Sequence, residues 1–438
     1  MLKAYKYRLY PNKNQEEHLA RHFGHVRHVY NWALAEKERY YKEHKKHLSR
    51  RELQDRLVAS KKVEKPWLKE VNSQSLLAAL FHLEDAFATF FRKQKEGEVT
   101  RTLAKLKAKG KKIKKLPFYP RFKSKKDHWY SFQCPQHVEV NFDEQWVKLP
   151  KIGCIKTKLH REFDGKIKTS TIKKNPSGEY YISILVDNGA ELPKKVAITE
   201  VTTTGIDLGL HHFLIESNGR KHENPKHLHQ SLSRLGVLQK IQSRKQKGSN
   251  NRERQRQLVS KQHQKITQKR TDFLQRKSFN LLSENQAETI AMEDLNVQGM
   301  MGNHKLARHI ADVSWGTFGI FMEYKADWQG KNIIYCDRFA PSSKQCSCGH
   351  KNDSLTLADR EWVCSVCGAK HDRDVLAAQN IKRFALEKVK SANLQGSGGC
   401  VKGSQWRVLG GTTKKPFERL SKDMLNGSQE ADTRARSA

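Results

Sequence analysis

Two close pairs of cysteines, Cys346-x-Cys348 and Cys364-x-x-Cys367, form the pattern in this chain with the most specific chemistry. Thiolates presented in two such pairs on facing turns supply four sulfur ligands, the tetrahedral set that holds Zn2+. Four protein ligands close the shell, so the expected ion is structural and not catalytic. Cys134, Cys154, Cys336 and Cys400 are scattered, which reads as a reduced, cytoplasmic chain with one metal site and not as a disulfide framework.

Acids at the ends of apolar runs form a second constellation. Thr203-Thr204-Gly205-Ile206-Asp207 is a short β-rich run that reaches a carboxylate, and a second strand, Phe213–Glu216, leads to the turn Asn218-Gly219. A hairpin opening in this way begins RNase H-like folds, although Asp-x-Gly also occurs in ATP-binding folds and ordinary turns. Thr289-Ile290-Ala291-Met292 is an apolar run too short for a helix, read as a buried strand that ends on Glu293 and Asp294. Successive strand residues point to opposite faces, so one of that pair can share the side of Asp207. In His371-Asp372-Arg373-Asp374, the residues that follow place Ala377, Ala378, Ile381 and Phe384 on one helical face with Asp374 in the first turn. Asp372 then suits an N-cap. Acids brought together from such distant positions repel one another unless divalent cations lie between them. Hard oxygen ligands select Mg2+ or Mn2+, and two such ions can promote phosphodiester hydrolysis without a general-base side chain.

The elements that must carry these residues follow from periodicity. Tyr5, Tyr7 and Leu9 alternate with Ala4, Lys6 and Arg8, giving a half-buried strand that Pro11 ends. Residues 14 to 115 are helical in pattern, with Asn72 or Ser73 capping a helix striped by Leu76, Leu80, Leu83, Phe87 and Phe90. Short alternating strands return over 129–200, and with the first strand they suggest a small β-barrel interrupted by a helical lobe. Residues 231–284 are basic and helical, broken into a hairpin near Gly248-Ser249-Asn250-Asn251.

Charge narrows the partners. The chain carries 83 Lys and Arg against 46 Asp and Glu, a formal +37. Such an excess repels itself unless a polyanion neutralises it, which suits a long nucleic-acid track, in a nuclease or in a basic ribosomal or chromatin protein. The stretch 101–126 mixes lysines with Phe118, Tyr119 and Phe122, offering cations beside stacking surfaces. Lys111, Lys112, Lys114, Lys115, Arg121 and Lys123 are candidate contacts there, as are Arg244 and Lys245 in the basic hairpin. No run of about 18 apolar residues is present, so no membrane-spanning helix is expected, and the N-terminus lacks a signal-peptide pattern. Residues 391–438 are polar and rich in Gly and Ser and read as a disordered tail.

Together the motifs resemble the TnpB family, the OrfB-type transposases of insertion sequences related to type V CRISPR effectors. The resemblance rests on Asp337-Arg338-Phe339-Ala340-Pro341-Ser342-Ser343-Lys344-Gln345-Cys346, the paired cysteines and His371-Asp372-Arg373-Asp374. It is supported by Glu293-Asp294-Leu295-Asn296-Val297, Ser314-Trp315-Gly316 and Tyr5-Lys6-Tyr7-Arg8-Leu9-Tyr10-Pro11. What it implies is a multidomain α+β chain. A wedge β-barrel (1–10 and 116–200) would hold a helical recognition lobe (11–115). An RNase H-like, RuvC-type α/β nuclease domain (201–341 and 369–390) would be interrupted by a zinc ribbon (342–368) that binds target nucleic acid. The resemblance carries the catalytic, Mg2+-binding role to Asp207, Glu293 and Asp374 and the Zn2+ ligands to Cys346, Cys348, Cys364 and Cys367.

The same resemblance implies a cytoplasmic, nucleoid-associated, RNA-guided DNA endonuclease, monomeric or weakly dimeric with RNA. Its partners would be a guide RNA from the transposon end and double-stranded target DNA. Contacts to a short motif beside the target are sought at Asn72, Ser73 and Gln74. The alternatives are a transposase or accessory protein, or a guided repressor without cleavage. Two departures from the family pattern stand out. Cys346-Ser347-Cys348 is one residue tighter than the usual knuckle and makes His350 a substitute ligand candidate, and Leu376 stands where many members have Asn.

Overall fold

The computed structural model describes residues 1–394 except 111, 114, 128–129, 284–286 and 357–358. Lys111, Lys114 and residues 395–438 of the expected tail therefore lie outside the described residues. The chain divides into two compact units, the first Met1–Ala190 and the second beginning at Glu191.

In the first unit, β1 (Leu2–Tyr10) buries Tyr7 and Leu9 on alternate positions and runs antiparallel to two neighbours at the middle of a seven-stranded sheet. Asn12 and Gln15 then form a reciprocal capping box that starts α1 (Lys13–His44). A second box, Ser49 with Glu52, starts α2 (Arg50–Lys62), and α3 (Ser73–Lys95) and α4 (Glu98–Ala108) follow. The remaining strands are β2 (Ser131–Cys134), β3 (Glu139–Asn141), β4 (Trp146–Leu149), β5 (Gly153–Lys158), β6 (Lys166–Lys174) and β7 (Tyr180–Asp187). Their order is β2-β6-β7-β1-β5-β4-β3, all pairs antiparallel. Among the described residues the outer strands β2 and β3 do not pair with each other. Helices and sheet share one apolar core: Leu19, Phe23 and Leu34 of α1 and Leu76, Leu80 and Leu83 of α3 cluster with Phe132, Ile155, Ile172 and Ile182.

The second unit is built on a five-stranded sheet, β10-β9-β8-β11-β12. Its strands are β8 (Thr203–Leu208), β9 (His212–Glu216), β10 (Lys221–Glu223), β11 (Thr289–Glu293) and β12 (Asn332–Cys336). The first three are an antiparallel meander, and β11 runs parallel to both β8 and β12. The helical hairpin α5 (His227–Arg244) and α6 (Asn250–Ser283) joins β10 to β11. Between β11 and β12 lie α7 (Val297–Met300), α8 (Ala307–Val313) and α9 (Trp315–Gln329). A small hairpin, β13 (Glu361–Val363) and β14 (Lys370–Asp372), leads directly into α10 (Arg373–Leu394). Ile381, Ala385, Leu386 and Val389 of α10 pack on Ala291, Ile334 and Cys336 of the parallel strands. Among the described residues no helix is long and apolar enough to cross a membrane.

Candidate functional site

Strand register decides which acids meet. Ala291 pairs with Gly205 across the parallel strands β11 and β8. Two residues farther along each strand stand Glu293 and Asp207, and side chains two apart share a face. Helix α10 covers that face so closely that a Cβ on Gly205 would lie 2.1 Å from the Ala378 carbonyl oxygen. Its first turn thereby brings Asp374 to the ends of both strands. Burial first, then the charges of Glu293 and Asp374, push the Asp207 carboxyl up to about 8, with Arg373 acting in the opposite sense. Burial also raises Glu293, against a hydrogen bond from Ser342. Asp374 faces the Arg360 guanidinium at 3.3 Å.

The neighbouring acids are engaged elsewhere. Asp294 accepts from Arg338 Nη2 at 2.6 Å. Asp372 Oδ1 accepts from the backbone N–H groups of Asp374 and Val375 at 3.0 and 3.2 Å, capping α10, while its Oδ2 takes Lys221 at 2.6 Å. Against its burial, those partners hold Asp372 below the usual carboxylate range. Asp207 is pushed the other way, by its burial first and then by the charges of Glu293 and Asp374. A divalent cation beside Asp207, Glu293 and Asp374 would relieve that repulsion, so the donor set fits Mg2+ or Mn2+.

Two residues that sequence reasoning missed hold this arrangement. Ser342 Oγ donates to Glu293 Oε1 at 2.7 Å. Asn380, 3% exposed, donates both amide protons, to the carbonyls of Ser342 at 2.7 Å and Gln345 at 2.6 Å. A rigid link therefore runs from α10, which carries Asp374, through the loop after β12 to Glu293. The available signal was a polar Asn380 on a helix face otherwise formed by Ala377 and Ile381.

The four clustered cysteines converge. Their sulfurs lie within 4.8 Å of one another, with Cys346–Cys367 at 3.5 Å and Cys348–Cys364 at 3.6 Å. Tetrahedral zinc with bonds of about 2.3 Å separates its sulfurs by roughly 3.8 Å, so the set fits that ion. Among the described residues it is the one group of three or more His, Cys, Asp or Glu side chains this close; the three carboxylates stand farther apart. Each knuckle closes on a glycine in the left-handed region, Gly349 (φ +91°) and Gly368 (φ +71°), whose N–H returns to the carbonyl of Cys346 or Cys364. The imidazole beside the sulfurs is His371, its Nε2 3.0 Å from Cys346 Sγ. His350 instead pairs with Ser365 Oγ at 3.1 Å. Leu376 packs with Cys346, Leu355, Trp362 and Cys364, which joins the ribbon core to the first turns of α10.

The candidate nucleic-acid contacts divide by exposure. Asn72 is 8% exposed and its side chain caps α3 through Gln74 N, whereas Ser73 is exposed and Gln74 half-buried. Lys112, Lys115, Arg121 and Arg244 are exposed. Lys115 pairs with Glu38 at 3.3 Å, and Lys123 lies over the Tyr30 ring at 3.9 Å. Lys245 reaches the Asn251 carbonyl at 3.4 Å.

Residues 1–46 match the IS605 OrfB family described as a helix-turn-helix domain, 183–304 the IS605 OrfB family described as a probable transposase, and 315–381 the Cas12f1-like TNB domain. In this chain residues 1–46 form one strand and one continuous helix, so the first description does not fit their local fold. A Streptomyces pristinaespiralis protein named "Putative RNA-guided DNA endonuclease" is 35% identical over 388 residues, 88% of this chain and 89% of that protein. InsQ of Escherichia coli K12, with the same description, is 28% identical over 87% of this chain and 91% of its own length. A solved Cas12f1–sgRNA–target DNA complex aligns at TM-score 0.43 and 14% identity, covering 87% of this chain and 98% of that chain. These relatives define a class, proteins named as RNA-guided DNA endonucleases. Within it, this chain belongs to the TnpB family.

Proposed function

We propose that the chain is an RNA-guided DNA endonuclease that hydrolyses phosphodiester bonds of target DNA at Asp207, Glu293 and Asp374. The observation that carries this reading is the convergence of Asp207 and Glu293, on one face of the β8–β11 pair, with Asp374 in the first turn of the helix α10 that covers that face. Mg2+ or Mn2+ held there would activate water and stabilise the leaving oxygen. Asp207 and Glu293 present oxygens from the rigid strands, and Asp374 adds one from the helix. Ser342 keeps the Glu293 carboxylate aimed, and Asp372 fixes the start of α10. The second unit is then a RuvC-type domain with the strand order β10-β9-β8-β11-β12, into which a Zn2+ ribbon is inserted. The first unit supplies the wedge sheet and helical lobe, and the +37 charge matches a guide RNA with its paired DNA. The RNA would derive from the transposon end, and the protein would act in the cytoplasm on double-stranded DNA.

The experiment is to purify the chain, sequence the RNA bound to it, and present matching targets with randomised flanks. Asp207→Ala, Glu293→Ala and Asp374→Ala should each abolish cutting and retain RNA-dependent DNA binding. Cutting that survives Asp374→Ala but is lost in Asp372→Ala would overturn the assignment. Joining of transposon ends without guide RNA would favour a transposase instead.

A further inference from the structure

The loop between β12 and the first cysteine knuckle displays a bare aromatic ring. Phe339 is 93% exposed, the most exposed large apolar side chain in the second unit among the described residues, level with Val201. The Ala340 N–H donates to the Asp337 carbonyl at 3.1 Å, closing a tight turn that contains Phe339. The turn is fastened on both sides. Lys388 of α10 pairs with Asp337. Arg338 donates through Nε to the Asp294 carbonyl at 2.9 Å and through Nη2 to its carboxylate at 2.6 Å. Ser342, three residues beyond Phe339, holds Glu293 at 2.7 Å. Three residues span at most about 11 Å, so the turn that carries the ring and the residue that holds Glu293 belong to one short loop.

Burying a phenylalanine ring contributes roughly 1.5–3 kcal/mol, which this turn forgoes while holding the ring's backbone in place. Its surroundings decide what the ring could receive. Arg338 and Lys388 keep 42% and 43% of their side-chain surface exposed, and Arg360, beside Asp374, keeps 60%. A single exposed ring offers no continuous apolar face for a protein helix or a lipid, but beside Arg338 and Lys388, each paired with an acid yet still partly exposed, it suits a single strand. Phosphates meet the cations while a base lies on the ring.

We propose that Phe339 is a stacking platform for an unpaired base of the DNA strand led to Asp207, Glu293 and Asp374. The proposal rests on the nuclease reading above for the identity of that strand. Phe339 is thus a positioning residue: it fixes the strand near the scissile phosphate and takes no part in bond cleavage.

The test uses the full chain with its co-purified RNA, with no Mg2+ or Mn2+ added so that the structural zinc is retained, and a single-stranded DNA carrying 2-aminopurine or 5-iodo-2′-deoxyuridine. Stacking quenches the first probe and photocrosslinks the second to an aromatic side chain. The wild type should crosslink within the peptide that contains Phe339. Phe339→Ala should lose that crosslink and weaken the quenched complex by about 5- to 150-fold, the range for one stacked base. Phe339→Trp should retain both signals and Phe339→Leu neither, with melting temperatures unchanged because the ring is exposed. Unaltered quenching in Phe339→Ala, crosslinks confined to other peptides, or full function in Phe339→Leu would each overturn the platform. The readout needs no cleavage. A chain that never cuts a guided target yet gives these signals would defeat the nuclease reading alone; a cutting chain indifferent to Phe339→Ala would defeat the platform alone.

Discussion

Gly205 and Ala378 approach more closely than any side chain permits, since a Cβ on Gly205 would stand 2.1 Å from the Ala378 carbonyl oxygen and 2.8 Å from Lys382 Cβ. Gly205 lies two residues before Asp207, and Ala378 four residues after Asp374. The contact therefore sets the distance between the strand acid and the helix acid.

Gly205→Ala should force α10 away from β8. Overpacking of this kind costs about 1–3 kcal/mol, and here the obstacle is backbone, which cannot rotate aside. Thermal unfolding should show that loss, and cleavage should fall with Mg2+ requirement shifted to higher concentration. A variant with native melting and native Mg2+ dependence would show that the helix spacing is not critical.

Asn380→Ala should uncouple Glu293 from α10. It leaves the Ser342 and Gln345 carbonyls without their buried partner, at a cost of about 1–3 kcal/mol. Ser342→Ala removes the hydrogen bond that opposes the burial-driven rise of Glu293. Partners that orient metal-binding side chains typically contribute about 10- to 100-fold in affinity or activity. Calorimetric titration of Mn2+ should show weaker binding in both variants, and the double variant should lose less than the two single losses combined. Additive losses would mean the two act separately.

Much of the acid site is legible in sequence because its strands end on their acids. The apolar run 289–292 announces a buried strand, and two-residue alternation narrows Glu293 and Asp294 to one choice. Choosing between them takes the register of β11 on β8, which depends on residues more than 80 positions apart. Ser342 was not legible because its acceptor lies 49 residues earlier and no local pattern marks it. For the imidazole nearest the sulfurs, proximity in sequence favoured His350, but the β13–β14 hairpin carries His371 back to Cys346. Strand β5 was missed because only one of its two buried residues, Ile155, is apolar; the other is Thr157, so a short basic segment shows no apolar alternation. The aromatic-basic stretch read as an open track is partly internal. Lys93 of α3 lies over Phe118 and the stretch's own Lys115 over Phe122, at 3.8 and 5.1 Å, so some of its rings already meet cations of the chain.

Removing zinc should disturb the start of α10 as well as the ribbon. Leu376 is 4% exposed and shares its core with Cys346, Cys364 and Trp362. Cys364→Ser should release a single zinc equivalent, measurable by atomic absorption, and expose residues 342–371 to limited proteolysis. Leu376→Asn should weaken the same core by placing an amide among apolar groups, at about 1–3 kcal/mol if it finds no partner. Native protease resistance in both variants would separate the ribbon from the helix.

The first unit should lose stability in mild acid through His22. This residue is fully buried; its Nδ1–H donates to the His18 carbonyl at 2.8 Å, and its Nε2 accepts from the Asn72 N–H at 3.2 Å. That pairing requires the neutral ring, because a proton on Nε2 would face another N–H. Burial holds the folded-state pKa down at about 4, against about 6.5 in an unfolded chain. The unfolded chain therefore binds more protons between these values, and the stability present above pH 6.5 is lost as the pH falls toward 4. The loss has an upper bound of about 3 kcal/mol. Hydrogen exchange across α1 and α3 should accelerate between pH 7 and pH 5, after correction for intrinsic rates, and His22→Gln should flatten that dependence. An equally steep dependence in His22→Gln would assign the effect to other groups.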